Sequence, residues 1–166
     1  FPSFLMTWTL QGLWVLLTLA PALAAMTTLQ PRPLDMFAAV GLVVWAIGFG
    51  IEVVADRQKR AFRRHPGNRG RFITTGLWTW SRHPNYFGEI TLWTGVALLA
   101  APVLSGWQYL TLVSPLFVYL LLTRVSGIPL LEARAEERWG GDPAYRAYRD
   151  RTPPLFLRPP RSTADS

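Results

Sequence analysis

The chain contains no cysteine, which excludes disulfides, thiolate metal sites and cysteine nucleophiles. It has only two histidines, His65 and His83, so neither an HExxH metal-binding helix nor a histidine-rich cluster can form, and we predict no metal site. Charged residues are also scarce, at 16% of the chain, whereas apolar residues make up 50% and stand in long blocks. These deficits favour a membrane protein over a soluble metalloenzyme or a disulfide-stabilised domain.

Four of the apolar blocks have the length of about 20 residues that a membrane-spanning helix needs. They cover residues 4–29, 36–55, 86–104 and 107–131, and a kink is expected at Pro115 in the last block. If these were buried helices of a soluble protein, too little polar chain would remain to cover them. We therefore predict an all-α integral membrane helical bundle with about four transmembrane helices.

The basic residues are concentrated in two segments. Of the 17 lysine and arginine residues, eight lie between residues 56 and 86 and seven follow Glu132. With four spans, these two segments share one side of the membrane, and the positive-inside rule predicts that this side is cytoplasmic. The excess of arginine over the single Lys59 is typical of a GC-rich bacterium, and we expect the bacterial inner membrane as the location.

The net charge of +7 would suit nucleic-acid binding in a soluble protein. Here acidic residues are interleaved with the basic residues of the tail, so only the loop is strongly cationic. Contact with anionic lipid headgroups explains such a loop equally well. We expect membrane lipids, and not nucleic acid, as partners.

The predicted organisation is a transmembrane bundle over residues 1–131 with a cytoplasmic loop at 56–85, a cytoplasmic or interfacial helical tail at 132–158, and a disordered end at 159–166. Within the tail, Gly140 and Gly141 are expected to end one helix. Asp142 followed by a proline is expected to cap the next helix, whose Tyr145 and Tyr148 share a face and could pack against the membrane interface. The first residue is not methionine, and we expect the chain to be a piece of a longer protein.

The segment 76–89, GLWTWSRHPNYFGE, carries the clearest functional pattern. Pro84 suits the first position of a helix, so the third span is expected to begin there. Free backbone N–H groups at that helix end, with Arg82 and His83 beside them, would form an anion site.

Acidic residues near two span ends extend this pattern. Asn85 and Glu89 are four residues apart on one helix face, and Glu89 lies about one turn inside the span, where an acid usually faces a polar cavity or partner. Glu52 and Asp56 have the same spacing at the end of the second span. The three acids could meet in one pocket under the loop arginines, which fits NADPH, because carboxylates accept hydrogen bonds from ribose or an amide and arginines hold phosphates. A simpler interpretation stays open, in which Arg82 and Tyr86 anchor the helix at the lipid interface and Glu89 pairs with an arginine.

The stretch ADRQKRAF…PGNRGRFITTGLWTWSRHPNYFGE, together with SGIPLLE at 126–132, resembles the steroid 5-alpha-reductase family, especially its bacterial DUF1295 group. The resemblance implies a helical membrane oxidoreductase that binds NADPH from the cytoplasmic side. Such an enzyme transfers a hydride to a carbon–carbon double bond conjugated to a carbonyl, in a lipid or steroid-like enone. The cofactor-binding positions that it implies, with the adjacent polar residues, are Glu52, Asp56, Arg63, Arg71, Arg82, His83, Asn85, Tyr86, Glu89 and Glu132.

Two positions depart from the steroid reductases. Glu52 stands where they have asparagine, and Glu132 replaces a late histidine, which argues against assuming a steroid substrate. In that family the residues that polarise the substrate carbonyl precede the part matched here, so no catalytic residue is assigned to this chain. The expected partners are the missing N-terminal helices of the same protein and a hydrophobic small-molecule substrate.

Two alternatives remain. Membrane methyltransferases of the isoprenylcysteine or phospholipid type, which use S-adenosylmethionine, also contain RHPxYxG, although the Asp56 segment and SGIPLLE favour the reductase. The other alternative is a non-enzymatic membrane scaffold.

Overall fold

The computed structural model describes residues 2–28, 33 and 35–160, and all regular structure in that part of the chain is helical. The α-helices are α1 (Pro2–Met26), α2 (Met36–Arg64), α3 (Pro84–Ala100), α4 (Ser114–Leu120), α5 (Ile128–Trp139) and α6 (Pro143–Arg151). Short 3-10 segments lie at Pro66–Asn68, Gly76–Thr79, Ala101–Val103 and Gly106–Val113, and a π-helical segment at Leu121–Val125. The predicted all-α fold is confirmed.

Four helical stretches are long and apolar enough to cross a membrane: Phe4–Met26, Met36–Arg64, Pro84–Val103 and Gly106–Trp139. They correspond to the four predicted spans, and the chain is an integral membrane protein. Residue 29 at the end of the first predicted span, and residues 161–166 of the predicted disordered end, lie outside the described residues.

The end of the second helix differs from the prediction. Residues 56–64 were expected in the loop but continue α2 as far as Arg64. This segment, DRQKRAFRR, contains mostly good helix formers, and the first proline after it is Pro66, which disfavours helical geometry at His65. Hydropathy detects only the part of the helix in the membrane, so the loop was predicted nine residues too early.

The fourth span is less regular than predicted. The expected kink at Pro115 coincides with a change from 3-10 to α-helical geometry at Ser114. A second break, at residues 126–127, was not predicted. It precedes Pro129 in the first turn of α5, and at Gly127 a Cβ atom would collide with the backbone of Leu122. The chain can fold back this closely only because residue 127 is glycine.

By internal contacts the chain divides into two compact units, and α2 and α3 contribute residues to both. The apolar unit comprises Phe1–Gly48 and Ile90–Leu120, and the polar unit comprises Phe49–Glu89 and Leu121–Ser166. The predicted boundary between residues 131 and 132 stays a prediction.

In the apolar unit, α2 and α3 pack closely at Gly41 and Gly95. A Cβ atom on Gly41 would lie 2.7 Å from the backbone nitrogen of Leu99, and one on Gly95 would lie 2.7 Å from Cα of Trp45. Elsewhere in this unit, the Ser114 hydroxyl donates to the carbonyl of Thr18 in α1, at 2.7 Å. Small residues thus permit the backbone approach that is common between membrane helices.

The polar unit is organised around Trp78. Its side chain is 3% exposed and packs with Ala55 and Ile73, and its indole N–H donates to the carbonyl of Ala55 at 3.1 Å. The Tyr148 hydroxyl in α6 donates to the carbonyl of Trp78 at 2.7 Å. The segment after α2 is therefore held to both α2 and α6.

Candidate functional site

The start of α3 is fixed by the tail of the chain. As predicted, the helix begins at Pro84. The Ser81 hydroxyl accepts from the backbone N–H of His83 at 3.1 Å and donates to the carbonyl of Leu155 at 2.8 Å, while the Arg82 N–H donates to the carbonyl of Pro153 at 2.9 Å. The backbone N–H groups of residues 82 and 83, which precede the helix, are therefore engaged within the protein, and the anion site at the helix end itself stays a prediction.

The side chains of Arg82 and His83 meet on one carboxylate. Glu132 in α5 lies 2.7 Å from Nε2 of His83 and 3.1 Å from a terminal nitrogen of Arg82. The His83 side chain is 8% exposed and that of Arg82 14%, so the trio is largely removed from water. These residues were all predicted in the site, but their direct contact was not.

Two atoms of this trio remain without a protein partner. Nδ1 of His83 and Nε of Arg82 are buried and make no hydrogen bond to any described residue. A buried polar atom without a partner costs about 1–3 kcal/mol. Both residues line a cavity, although these two atoms are themselves closed off from solvent.

The cavity lies within the polar unit and has a volume of about 330 Å³. Six of the residues that line it are cationic: Lys59, Arg63, Arg71, Arg82, Arg134 and Arg138. Six are aromatic: Phe62, Phe72, Trp78, Trp139, Tyr145 and Tyr148. Glu132 is the single acid among the cavity-lining residues, and it is already paired, so the cavity is strongly positive.

The aromatic wall is built around Phe72. Its ring centroid lies 5.2 Å from that of Tyr145, 5.7 Å from that of Tyr148 and 5.8 Å from that of Trp139. The Trp139 indole N–H donates to the carbonyl of Gly70 at 2.6 Å. Burial raises the pKa of both tyrosine hydroxyls, so they stay neutral donors at physiological pH. The membrane-interface packing suggested for this pair is therefore replaced by burial inside the polar unit.

The predicted acids form a separate group. Glu52, Asp56 and Glu89 are half-buried and lie close enough for their charges to interact. Tyr86 is also close enough to Asp56 and Glu89 for their charges to act on its hydroxyl group. None of the three acids is among the residues that line the cavity. The expected meeting of the acids thus appears in the structure, whereas a single pocket of acids under arginines does not.

The predicted site residues divide accordingly. Five of them line the cavity: Arg63, Arg71, Arg82, His83 and Glu132. Four belong to the acidic group: Glu52, Asp56, Tyr86 and Glu89. The tenth, Asn85, is half-buried at the second position of α3. The cationic and aromatic residues that the sequence prediction missed are Lys59, Phe62, Phe72, Trp78, Arg134, Arg138, Trp139, Tyr145 and Tyr148. Of these, Arg134 and Arg138 had a usable signal, since their spacing of four places them on one helix face.

Three curated proteins are similar to this chain. The probable O-methyltransferase ustE of Ustilaginoidea virens is 34% identical over 71 residues, which is 42% of this chain and 25% of that protein. The 3-oxo-5-alpha-steroid 4-dehydrogenase 1 of Bos taurus is 37% identical over 70 residues, which is 42% of this chain and 26% of that protein. An uncharacterized protein of Schizosaccharomyces pombe is 27% identical over an alignment of 170 positions, gaps included, which covers 89% of this chain and 47% of that protein.

The chain thus spans between about a quarter and a half of the length of the curated relatives that it matches. No solved structure matches it. A family model described as "protein of unknown function (DUF1295)" matches residues 1–152. The chain therefore belongs to the DUF1295 family, as its motifs predicted.

Proposed function

We propose that this chain is the cofactor-binding part of a membrane-bound reductase. It would use NADPH to reduce a carbon–carbon double bond conjugated to a carbonyl, in a lipid or steroid-like enone, from the cytoplasmic side of the membrane. The observation that carries the proposal is the cavity of cationic and aromatic side chains in the polar unit. Similarity to the bovine protein, whose name describes redox chemistry at position 4 of a 3-oxo-steroid, supports the same reaction class.

The charge and the aromatic lining of the cavity suit this cofactor. NADPH is a polyanion with an adenine ring and a dihydronicotinamide ring, which matches guanidinium groups for phosphates and aromatic faces for stacking. Arg63 and Arg71, the predicted phosphate ligands, line the cavity, and neither makes an ion pair within the described residues. Uncompensated cations facing a cavity favour an anionic ligand.

The remaining polar groups would orient the cofactor. Glu132 holds Nε2 of His83 and a terminal nitrogen of Arg82, and so fixes both side chains at the wall of the cavity. Glu52 and Asp56 do not line the cavity, so their carboxylates would accept hydrogen bonds from ribose hydroxyls or an amide only in a part of the cofactor that extends beyond the cavity. When bound, the cofactor supplies the hydride, and the protein supplies binding and orientation.

A methyltransferase is the second candidate, because ustE matches a similar length of the chain. S-adenosylmethionine carries a sulfonium and an ammonium group against one carboxylate, so it is a net cation. Six cationic side chains and one paired carboxylate line the cavity, and their field would oppose a cationic ligand. The cavity's charge therefore favours NADPH.

The decisive experiment measures binding of NADPH and of S-adenosylmethionine to the chain purified in detergent. We expect NADPH to bind and Arg63→Ala/Arg71→Ala to weaken it about tenfold or more, since each charge-assisted contact contributes about 1.5–3 kcal/mol. The unfolding midpoint should change little, because both side chains are exposed. Arg57→Ala is the control, as Arg57 is exposed on α2 outside the cavity.

Other outcomes would change the assignment. Binding of S-adenosylmethionine without NADPH would replace the reductase with the methyltransferase. Binding of neither would support the non-enzymatic scaffold. NADPH binding that is insensitive to the double substitution would leave the reductase but remove Arg63 and Arg71 from its phosphate site.

A further inference from the structure

α5 carries a second pair of arginines on the wall of the cavity. Arg134 and Arg138 are four residues apart, on one helix face, and both line the cavity and are exposed. Within the described part of the chain, neither arginine makes an ion pair. This pair therefore presents two uncompensated guanidinium groups to the cavity.

The acids of α5 do not neutralise this pair. Glu132 binds Arg82 and His83, and Glu136 binds Arg149 in α6, at 2.7 Å. Glu137, the third acid of α5, lies three residues after Arg134, yet it makes no ion pair with either arginine in the described part of the chain. Two like charges this close repel each other unless an anion lies between or beside them.

The Arg138 side chain is held in place beside the basic loop. Its guanidinium lies 5.0 Å from the ring centroid of Trp139, and the Trp139 indole donates to the carbonyl of Gly70. Gly70 immediately precedes Arg71 in the chain. The α5 pair is thus tied, through Trp139, to the loop that carries one of the predicted phosphate ligands.

We propose that Arg134 and Arg138 form a second phosphate subsite, which takes the 2′-phosphate of NADPH, while Arg63 and Arg71 take the diphosphate. The inference rests on the proposed function for the identity of the cofactor. NADPH carries a diphosphate and a 2′-phosphate joined through a ribose, and the cavity is lined by arginines from α5 as well as from α2 and the loop after it, with no free acid among its lining residues. This subsite makes α5 the element that distinguishes NADPH from NADH.

The test compares the affinities for NADPH and NADH of the wild-type chain and of Arg134→Ala/Arg138→Ala in detergent. We expect the double variant to bind NADPH about tenfold to a hundredfold more weakly, with NADH affinity changed by less than about twofold. Arg57→Ala/Arg64→Ala is the matched control, because it removes two exposed arginines of α2 that do not line the cavity. Arg134→Lys/Arg138→Lys, which keeps the charge but loses the bidentate geometry, should have an intermediate effect.

Each contrary result has a distinct meaning. Suppose that the wild-type chain binds NADPH and that the double variant loses affinity equally for both nucleotides, or loses none. That result would overturn the subsite and leave the proposed function standing. A wild-type chain that binds neither nucleotide would overturn the proposed function, and the subsite with it. If the alanine variant does not fold, the lysine variant still decides, since its NADPH-to-NADH preference must fall below that of the wild type.

Discussion

At the scale of single residues, Tyr148 shows how the polar unit depends on neutral hydroxyl groups. Its O–H donates to the carbonyl of Trp78, and the Trp78 indole in turn donates to the carbonyl of Ala55. Tyr148 is only 5% exposed, so its ionised form would lose both its hydration and its role as a donor. Burial accordingly raises the pKa of the Tyr148 hydroxyl above its ordinary value.

This raised pKa predicts a decline in stability at alkaline pH. The folded state holds the proton more tightly than the unfolded state, so the contribution to stability is complete below the ordinary tyrosine pKa of about 10 and is lost as the pH rises above it. Thermal unfolding in detergent at about pH 8 and about pH 11 should show a lower midpoint at the higher pH. Tyr148→Phe should be less stable at the lower pH by about 1–3 kcal/mol, because a buried carbonyl loses its donor, and should show a smaller alkaline decline.

Tyr109→Phe is the control for this measurement, since Tyr109 is 53% exposed. Its alkaline decline should match that of the wild type. Tyr145 contributes a smaller decline of the same sign, because burial raises its pKa too. An alkaline decline in Tyr148→Phe as large as in the wild type would rule out the proposed role of this hydroxyl.

The sequence identified individual site residues better than their partners. His83 and Glu132 were both predicted in the site, yet they are 49 residues apart and nothing local indicates that they bind each other. Arg134 and Arg138 have helical spacing, but the spacing of charges also fits a solvated helix face. Side-chain pairing across such distances depends on tertiary packing, which residue pattern alone does not encode.

At the scale of elements, the approach of α2 and α3 depends on glycine. Because a side chain on Gly95 would meet the backbone of Trp45, even Gly95→Ala must push the helices apart. We expect a destabilisation of about 1–3 kcal/mol from overpacking. Unfolding in detergent, followed by circular dichroism, measures the change.

The chain offers a matched control at Gly50 in α2, where an added Cβ atom meets nothing within 4 Å. Gly50→Ala should be neutral or stabilising by up to about 1 kcal/mol, because alanine favours the helix. Equal effects of the two substitutions would show that the close approach at Gly95 does not limit stability.

Element boundaries were predicted well where a local signal exists. The start of α3 at Pro84, the end of α5 before Gly140, and the cap of α6 by Asp142 all follow from single residues, and the structure confirms each of them. The extension of α2 to Arg64 and the break at Gly127 were missed. Hydropathy reports where a segment is apolar, which does not determine where helical hydrogen bonding stops.

At the scale of the whole molecule, the sequence of spans and the placement of charge predict an orientation that the fold alone does not establish. Residues 56–86 and the segment after Glu132 carry 15 of the 17 basic residues, whereas the turn around residues 104–106 carries none. The positive-inside rule therefore assigns loop and tail to the cytoplasm and this turn to the opposite side. The proposal that NADPH enters from the cytoplasm depends on this orientation.

The absence of cysteine makes the orientation directly testable, because any introduced thiol is unique. Trp107 is 78% exposed next to the turn, and Gly141 is exposed with nothing within 4 Å of an added Cβ atom. In intact bacterial cells, a membrane-impermeant maleimide should label Trp107→Cys and not Gly141→Cys, and both should react after the cells are lysed. The opposite labelling pattern would place the arginine-lined cavity away from the cytoplasmic pool of NADPH, so the orientation and the proposed cofactor could not both be correct.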